Sequence, residues 1–128
     1  MKLLLDTCTF LWVITGSPRL SRRARTLFAA AEQEVYLSAA SAWEIAIKHR
    51  LGRLPLPEAP DRFVPGMREA HGIASLAIDE DAALHVSRLP DLHRDPFDRM
   101  IVSQAIVHGF TILTPDPLVT AYPARTIW

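Results

Sequence analysis

The chain has 128 residues, 49% of them hydrophobic and 22% charged, which is typical of one globular domain with a sizeable core. We therefore expect a single domain over residues 1–128. Its 14 basic and 14 acidic residues give a formal net charge of zero, so bulk charge offers no argument for binding to nucleic acid or to a membrane.

The first third of the chain predicts two strands separated by two helices. Residues 2–5 form a short apolar run, which is typical of a strand buried on both faces. A helix is expected over residues 8–15. A second helix is expected to begin at the cap Ser21 and to run to Glu32. Residues 34–38 are predicted to form the next strand.

The remainder of the chain continues to alternate helices and strands. The predicted elements are a helix from Ser41 to Gly52, a loop over 53–60, a helix over 61–71, a strand over 74–78, a helix capped by Asp79, a helix from Asp95 to Gly109, a strand over 110–114 and an edge strand over 125–128. This alternation predicts an α/β sandwich with a mostly parallel sheet.

Acidic residues stand where these strands end and where helices begin. Asp6 and Asp116 follow strands, and Glu44, Asp95 and Asp98 are predicted near the first turns of helices. Because the carboxyl ends of parallel strands meet at one crevice, we expect these residues to share a site. Two carboxylates about 4 Å apart repel by roughly 4 kcal/mol at an effective dielectric constant of 20. A hard cation such as Mg²⁺ or Mn²⁺ would compensate for this repulsion.

Four of the five acidic residues also have a purely structural interpretation, whereas Asp6, which interrupts an apolar run and caps only a short helix, is the hardest to explain in this way. Ser41 and Glu44 match a capping box, in which the glutamate accepts from the serine amide. Asp95 fits an N-cap, and the helix dipole favours Asp98 in the first turn. Asp116 lies between two prolines and fits a turn. The joint occurrence of these residues in one α/β frame favours the metal site over four separate caps.

The single cysteine, Cys8, excludes an internal disulfide and predicts a reducing, cytoplasmic location with a buried structural thiol. The opening apolar run is too short for a signal peptide, and no run approaches the roughly 20 apolar residues of a membrane span. The five histidines have no zinc-like spacing, although His93 is a candidate for substrate contact. The consecutive large side chains Phe10, Leu11 and Trp12 predict an apolar surface that suits a protein interface.

Four segments together resemble the PIN-domain ribonucleases, specifically the VapC toxins of type II toxin-antitoxin pairs. They are residues 3–7, 37–48, 93–99 and 114–117, and they extend over nearly the whole chain. The resemblance implies a PIN-like three-layer α/β/α sandwich with a mostly parallel central sheet. It implies Mg²⁺-dependent endonucleolytic cleavage of RNA, commonly tRNA or rRNA, with Mn²⁺ as a possible substitute. It also implies a cognate VapB antitoxin and a homodimer.

The resemblance also assigns roles to particular residues. The acidic quartet of the family is carried over by motif to Asp6, Glu44, Asp98 and Asp116. Asp95 is an additional carboxylate beside this quartet. Thr7 and Ser38 are candidates for positioning water or phosphate, and Arg99 for holding a phosphate. The arginine-rich helix from Ser21 and the stretch from Phe10 to Trp12 are candidates for the antitoxin groove.

Three other functions remain to be weighed. An aspartyl-phosphate phosphatase would use Asp6 as its nucleophile, but the haloacid-dehalogenase type has a second aspartate two residues later, where this chain has Cys8. A receiver-like domain would have a lysine after a late strand, where this chain has Thr114. A nucleic-acid-binding module without catalysis would lack at least one acidic position, and none is missing here.

Overall fold

The computed structural model describes residues 1–128 and contains one parallel sheet with helices on both faces. The strands are β1 (Lys2–Leu5), β2 (Glu34–Ser38), β3 (Ala74–Leu76), β4 (Thr111–Leu113) and β5 (Thr126–Ile127). The helices are α1 (Thr7–Thr15), α2 (Arg22–Ala29), α3 (Ala39–Arg50), α4 (Pro60–Ala70), α5 (Glu80–His85), α6 (Pro96–His108) and α7 (Pro117–Thr120), with a 3₁₀ turn over Val86–Arg88. The predicted α/β sandwich with a parallel sheet is confirmed.

The strand order is β3-β2-β1-β4-β5, and every neighbouring pair is parallel. The chain moves outward from β1 to β2 and β3, and it then returns to the other side of β1 to form β4 and β5. The reversal places a crevice beyond the carboxyl ends of β1 and β4, which is where α/β sheets bind ligands. Leu5 is paired with Leu113 in this register, so Asp6 and Thr114 leave the sheet side by side.

The central strand β1 is buried on both of its faces. Leu3, Leu4 and Leu5 are completely inaccessible to solvent. Leu3 and Leu5 belong to a core that also contains Phe10 and Ile45 from α1 and α3, whereas Leu4 belongs to a second core on the opposite face. Because successive side chains of a strand point to opposite faces, this continuous leucine run supports a three-layer arrangement.

The second core lies between the other face of the sheet and helices α6 and α7. It contains Ile101 and Val102 from α6, Ile112 from β4, and Val119 from α7. Tyr122, just after α7, is only 3% exposed and completes this layer. The model contains no helix with both the length and the apolar character needed to cross a membrane.

Helix α3 begins earlier than the sequence pattern predicted. Its N-cap is Ser38, whose Oγ accepts a hydrogen bond from the amide of Ala40 at 3.0 Å. Ser41 therefore lies inside the helix, and Glu44 lies in the second turn instead of the first. The predicted capping box of Ser41 and Glu44 is wrong because β2 runs directly into the helix, with Ser38 serving as both strand end and cap.

Helix α2 begins at the predicted cap, since Ser21 Oγ accepts from the amide of Ala24 at 3.0 Å. It ends at Ala29 and not at Glu32. Ala30 has extended backbone angles, and its carbonyl accepts from the amide of Gln33 at 3.1 Å, which forms the turn into β2. The predicted end was too late because helix-forming alanines continue into this turn.

Truncation of one buried side chain in the central strand tests the two-core arrangement. We expect Leu4→Ala to lower the free energy of unfolding by about 2 to 5 kcal/mol, because removing a fully buried leucine side chain leaves a cavity. The matched control is Leu84→Ala in α5, where the leucine is 66% exposed and the change should stay within about 0.5 kcal/mol. Urea denaturation of both variants measures the difference, and equal effects would contradict the burial of β1.

Candidate active site

A pocket of about 220 Å³ lies beyond the carboxyl ends of β1 and β4, and most of its lining residues are polar or charged. The lining residues are Asp6, Thr7, Cys8, Glu44, Lys48, His93, Asp95, Asp98, Asp116 and Leu118. The structure therefore brings together the predicted acidic quartet, the additional carboxylate Asp95 and the predicted Thr7. Ser38 and Arg99 do not line this pocket.

Asp6 is held by contacts to two elements. It is 4% exposed and caps α1, with Oδ1 accepting from the amide of Thr9 at 2.8 Å. Its Oδ2 accepts a hydrogen bond from the hydroxyl of Thr114, which follows β4. The same hydroxyl oxygen accepts from the amide of Asp116 at 3.0 Å. Thr114 thus links two acidic residues that are far apart in the sequence.

The surroundings of Asp6 disfavour its charged form. Burial raises the pKa of this carboxyl above its ordinary value of 3.8, and the negative charge of Asp116 acts in the same direction. The hydrogen bonds from Thr114 and Thr9 lower the pKa but do not offset the burial. A cation near Asp6 would restore its ionised form.

Glu44 is 5% exposed and is held from both sides. Its Oε1 accepts from the hydroxyl of Thr7 at 2.6 Å, and the hydroxyl of Ser41 lies 3.0 Å from the same Thr7 oxygen. Its Oε2 forms an ion pair with Lys48, one helical turn further along α3. The hydrogen bond to Glu44 is the main reason that the pKa of Lys48 is raised. Lys48 is the only lysine or arginine that lines the pocket.

Asp98 lies in the first turn of α6, and Asp95 is the cap of this helix. Asp95 Oδ1 accepts from the amides of Phe97 at 2.9 Å and Asp98 at 3.1 Å, as the structural interpretation predicted. Asp98 Oδ2 lies 3.1 Å from Nε2 of His93. Capping therefore accounts for Asp95 but leaves Asp98 facing other groups of the pocket.

The pKa of Asp98 is raised from 3.8 to about 6. Burial is the largest cause, and the hydrogen bond from His93 opposes it. The charges of three neighbouring carboxylates raise the pKa further, and they belong to Asp95, Glu44 and Asp116. A carboxyl perturbed in this way inside a pocket is typical of a functional site.

Asp116 combines its predicted turn position with a place in the pocket. Its Oδ1 accepts from the amide of Leu118 at 2.9 Å and caps the short helix α7, which begins at Pro117. The residue is partly exposed. Its structural interpretation and its predicted site role are therefore compatible.

Two residues expected to contact substrate are occupied elsewhere. Ser38 is completely buried, and its hydroxyl donates to Oε1 of Gln104 at 2.6 Å. Arg99 donates to the carbonyl oxygens of Pro90 at 2.9 Å and Val86 at 3.3 Å and to the hydroxyl of Tyr122. Both side chains thus bind other parts of the scaffold, and neither lines the pocket where a water or phosphate contact was predicted.

Cys8 corrects a further expectation. The predicted buried structural thiol is wrong, because the residue is exposed and borders the pocket. Partial desolvation is the main cause that raises the pKa of its thiol, followed by the charges of Asp6 and Glu44. The first turn of α1 places this side chain at the pocket wall and not in the core.

Sequence analysis missed two residues that shape the site, Lys48 and Thr114. Lys48 had a readable signal, because a lysine four residues after a glutamate on a helix is positioned to pair with it. Thr114 had a weaker signal. It follows a predicted strand as Asp6 does, but its contact with Asp6 depends on which strands are neighbours.

The donor set of the pocket is suited to a hard divalent cation. All four quartet side chains offer carboxylate oxygens, and burial leaves two of them poorly stabilised as anions. No three His, Cys, Asp or Glu side chains form a ready-made cage, since the carboxylates turn toward protein partners instead. Mg²⁺ does not need such a cage, because it keeps several waters and commonly binds through one or two carboxylates. The residues present therefore fit the predicted Mg²⁺, as they would Mn²⁺.

A separate apolar groove of about 490 Å³ lies along α1. Its apolar lining residues include Leu11, Trp12, Ile14, Leu54, Leu56, Phe63 and Met67. Phe10 lies instead in the core and is completely buried. Arg19 borders the groove, whereas the arginines of α2 do not, and the lining comes mainly from α1, α4 and the loop before α4.

The raised pKa of Asp98 predicts a pH-dependent stability. Between about pH 4 and pH 6 the folded chain binds more protons at this residue than the unfolded chain, so its contribution to stability falls as the pH rises through this window. We expect Asp98→Asn to gain stability relative to the wild type across the same window. Urea denaturation at a series of pH values, without divalent cations, measures this difference. A flat difference for Asp98→Asn would contradict the raised pKa.

Comparisons with known proteins agree with this architecture. The chain is 40% identical over 72 residues to Ribonuclease VapC16 of Mycobacterium tuberculosis, a match that covers 53% of this chain and 51% of that protein. The matched region thus spans about half the length of the curated relative.

Solved structures match over nearly the full chain. VapBC2 from Rickettsia felis, bound to a DNA fragment from its promoter, has a TM-score of 0.75 at 15% identity and covers 99% of this chain and 98% of that chain. FitAcB from Neisseria gonorrhoeae has a TM-score of 0.64 at 20% identity and covers 98% and 96%. At such identities the likeness shows the fold alone. The PIN domain model matches residues 3–121, and the chain therefore belongs to the PIN-domain family.

Proposed function

We propose that this chain is an Mg²⁺-dependent endoribonuclease, acting as the VapC-type toxin of a type II toxin-antitoxin pair. The observation that carries the proposal is the gathering of five carboxylates around one pocket at the carboxyl ends of β1 and β4. The relative named Ribonuclease VapC16 and the fold shared with VapBC structures support it. We further propose tRNA or rRNA as the substrate class and a homodimer as the working form.

Phosphodiester hydrolysis requires an activated water and stabilisation of the attacking and leaving oxygens. Mg²⁺ or Mn²⁺, when bound, supplies both. We assign the role of holding the cation to Asp6, Asp98 and Asp116. Thr114 links the carboxylate of Asp6 to the backbone amide of Asp116 through its two hydrogen bonds.

Glu44 has a different role in this proposal. Thr7 and Lys48 fix its two oxygens, so the carboxylate is positioned to hold the cation or to orient the attacking water. Lys48 adds the only lysine or arginine charge of the pocket, and 48% of its side chain is exposed. We propose that it also attracts the phosphate of the entering RNA, because the surrounding carboxylates alone would repel it.

The geometry argues against an aspartyl-phosphate phosphatase. Cys8 stands two residues after Asp6, where a haloacid-dehalogenase-type phosphatase has its second aspartate, and its side chain borders the pocket. A nucleic-acid-binding module without catalysis gives no reason for retaining all four acidic residues in one pocket.

Cleavage of RNA tests the proposed activity. We expect the purified chain, free of antitoxin, to cut total RNA at discrete positions with Mg²⁺ and to leave it intact with EDTA. Asp6→Asn and Asp98→Asn should each slow cleavage by at least about 100-fold, because each removes a proposed cation ligand. Sequencing of the product ends should find 5′-phosphate and 3′-hydroxyl groups.

The matched control for this experiment is Asp81→Asn, an exposed aspartate in α5 that lies outside the pocket. It should cut RNA at the wild-type rate. Products with cyclic phosphate ends would contradict the proposed mechanism, and intact RNA under every condition would contradict the activity itself.

We propose the apolar groove along α1 as the surface that binds a VapB-type antitoxin. We expect Leu56→Glu to weaken binding of a co-expressed VapB-type protein from the same genome by at least about tenfold, because it places a charge in the apolar contact. RNA cleavage by the free variant should be unchanged, since the groove and the acidic pocket share no lining residue.

The control Leu84→Glu introduces the same charge at an exposed leucine outside the groove. Copurification and titration calorimetry compare the two variants. Equal binding by both would contradict the proposed antitoxin surface without affecting the proposed nuclease.

A further inference from the structure

We propose that Arg99 and Tyr122 act as positioning residues that fix the tautomer of His93, with the ring proton on Nε2, so that His93 orients the carboxylate of Asp98. The tautomer follows from the hydrogen-bond geometry alone. Its consequence for RNA cleavage rests on the proposed function.

Arg99 sets the direction in which the hydroxyl of Tyr122 donates its proton. Arg99 Nη1 lies 2.9 Å from the phenol oxygen of Tyr122. A guanidinium group only donates hydrogen bonds, so the phenol oxygen must accept this one. The phenol proton is then directed toward its other neighbour, Nδ1 of His93, at 2.7 Å.

The opposite tautomer of His93, with the ring proton on Nδ1, would leave the hydroxyl of Tyr122 without an acceptor. Tyr122 is 3% exposed, and its hydroxyl contacts only Arg99 and His93. If Nδ1 of His93 carried a proton, the phenol proton would be buried without an acceptor, which is unfavourable. Nδ1 is therefore the acceptor, and the proton of the neutral ring is on Nε2.

The imidazole ring of His93 contacts Asp98 in the pocket. Nε2 of His93 lies 3.1 Å from Oδ2 of Asp98, and with the proton on Nε2 this contact is a hydrogen bond donated by the histidine. The other carboxylate oxygen, Oδ1, has no protein donor and stays available. The bond thus fixes the orientation of Asp98 while it leaves one oxygen open.

Four side chains form a hydrogen-bonded series, called the relay below, in the order Arg99, Tyr122, His93 and Asp98. Arg99 and Tyr122 are each held by further contacts. Arg99 belongs to α6 and also donates to the carbonyl oxygens of Pro90 and Val86. Tyr122 is held in the second core, and its amide donates to the carbonyl of Val119 at 3.1 Å. The relay therefore connects the scaffold of α6 and α7 to the first turn of α6, where Asp98 lies. Through this relay Arg99 is connected to the pocket, although Arg99 is not one of the lining residues.

The tautomer is read directly by two-bond ¹H–¹⁵N spectra of the ¹⁵N-labelled wild-type chain, recorded at a pH where the spectra themselves show one protonated ring nitrogen. We expect His93 to show a protonated Nε2 and an Nδ1 that accepts a hydrogen bond. In Tyr122→Phe, the Nδ1 resonance should shift to the position of a nitrogen without a donor. A protonated Nδ1 in the wild type would overturn the proposal, whether or not any variant folds and whether or not the chain cuts RNA.

The positioning role is tested by a double-mutant cycle on a single-stranded RNA oligonucleotide that contains the mapped cleavage site. We expect Tyr122→Phe to lower kcat by about 2- to 10-fold with little change in KM, as loss of one hydrogen bond in the relay predicts. His93→Gln keeps a side-chain amide donor toward Asp98 and should retain more activity than His93→Leu. The side chain introduced by His93→Gln is not oriented by the phenol proton. Tyr122→Phe should therefore cause no further loss of kcat in the His93→Gln background.

Equal losses from Tyr122→Phe in both backgrounds would mean that Tyr122 acts only through packing, and they would overturn the positioning role. Urea denaturation of every variant separates such packing effects from activity. If no variant and no wild type cleaves RNA, the proposed nuclease fails, while the spectra still decide the tautomer.

Discussion

The position of β1 at the centre of the sheet is the constraint on which the candidate site depends. Its three leucines are inaccessible on both faces, so the first polar residue after this run can occur only where the strand leaves the sheet. That residue is Asp6. The neighbouring strand β4 ends at the same edge and delivers Thr114 to the Asp6 carboxylate. The apolar packing of the sheet thus determines where the first carboxylate lies, before any requirement of chemistry is considered.

The carboxylates around the pocket are held in place without being neutralised. The carboxylate of Asp6 accepts from a threonine hydroxyl, that of Glu44 pairs with a lysine, and that of Asp98 contacts a histidine. Only the lysine carries a fixed positive charge. The raised pKa values of Asp6 and Asp98 are the result of this imbalance, because burial and like charges both disfavour ionisation. Since a domain is stable by only about 5 to 15 kcal/mol, such a cluster is better explained by a binding requirement than by stability.

The parts of this structure that depend on local pattern were predictable from the sequence, and the parts that depend on pairing were not. The leucine run predicted β1, and the caps Ser21 and Asp95 were identified correctly. The start of α3 was misplaced because Ser38 and Ser41 are both possible caps, and only the extent of β2 decides between them. The bond between Thr114 and Asp6 joins residues 108 positions apart, and no local signal contains it.

Helix α1 connects the acidic pocket with the apolar groove. Its first turn carries Thr7 and Cys8 at the pocket, and Leu11 and Trp12 line the groove one turn later. At a rise of 1.5 Å per residue, Cys8 and Leu11 are separated by only about 5 Å along the helix axis. A protein seated in the groove would therefore lie beside the mouth of the pocket. On the proposed function, such a protein would exclude a bulky RNA without contacting the carboxylates. The proposed inhibition and the proposed catalysis are therefore expected to be separable by mutation, although one helix serves both.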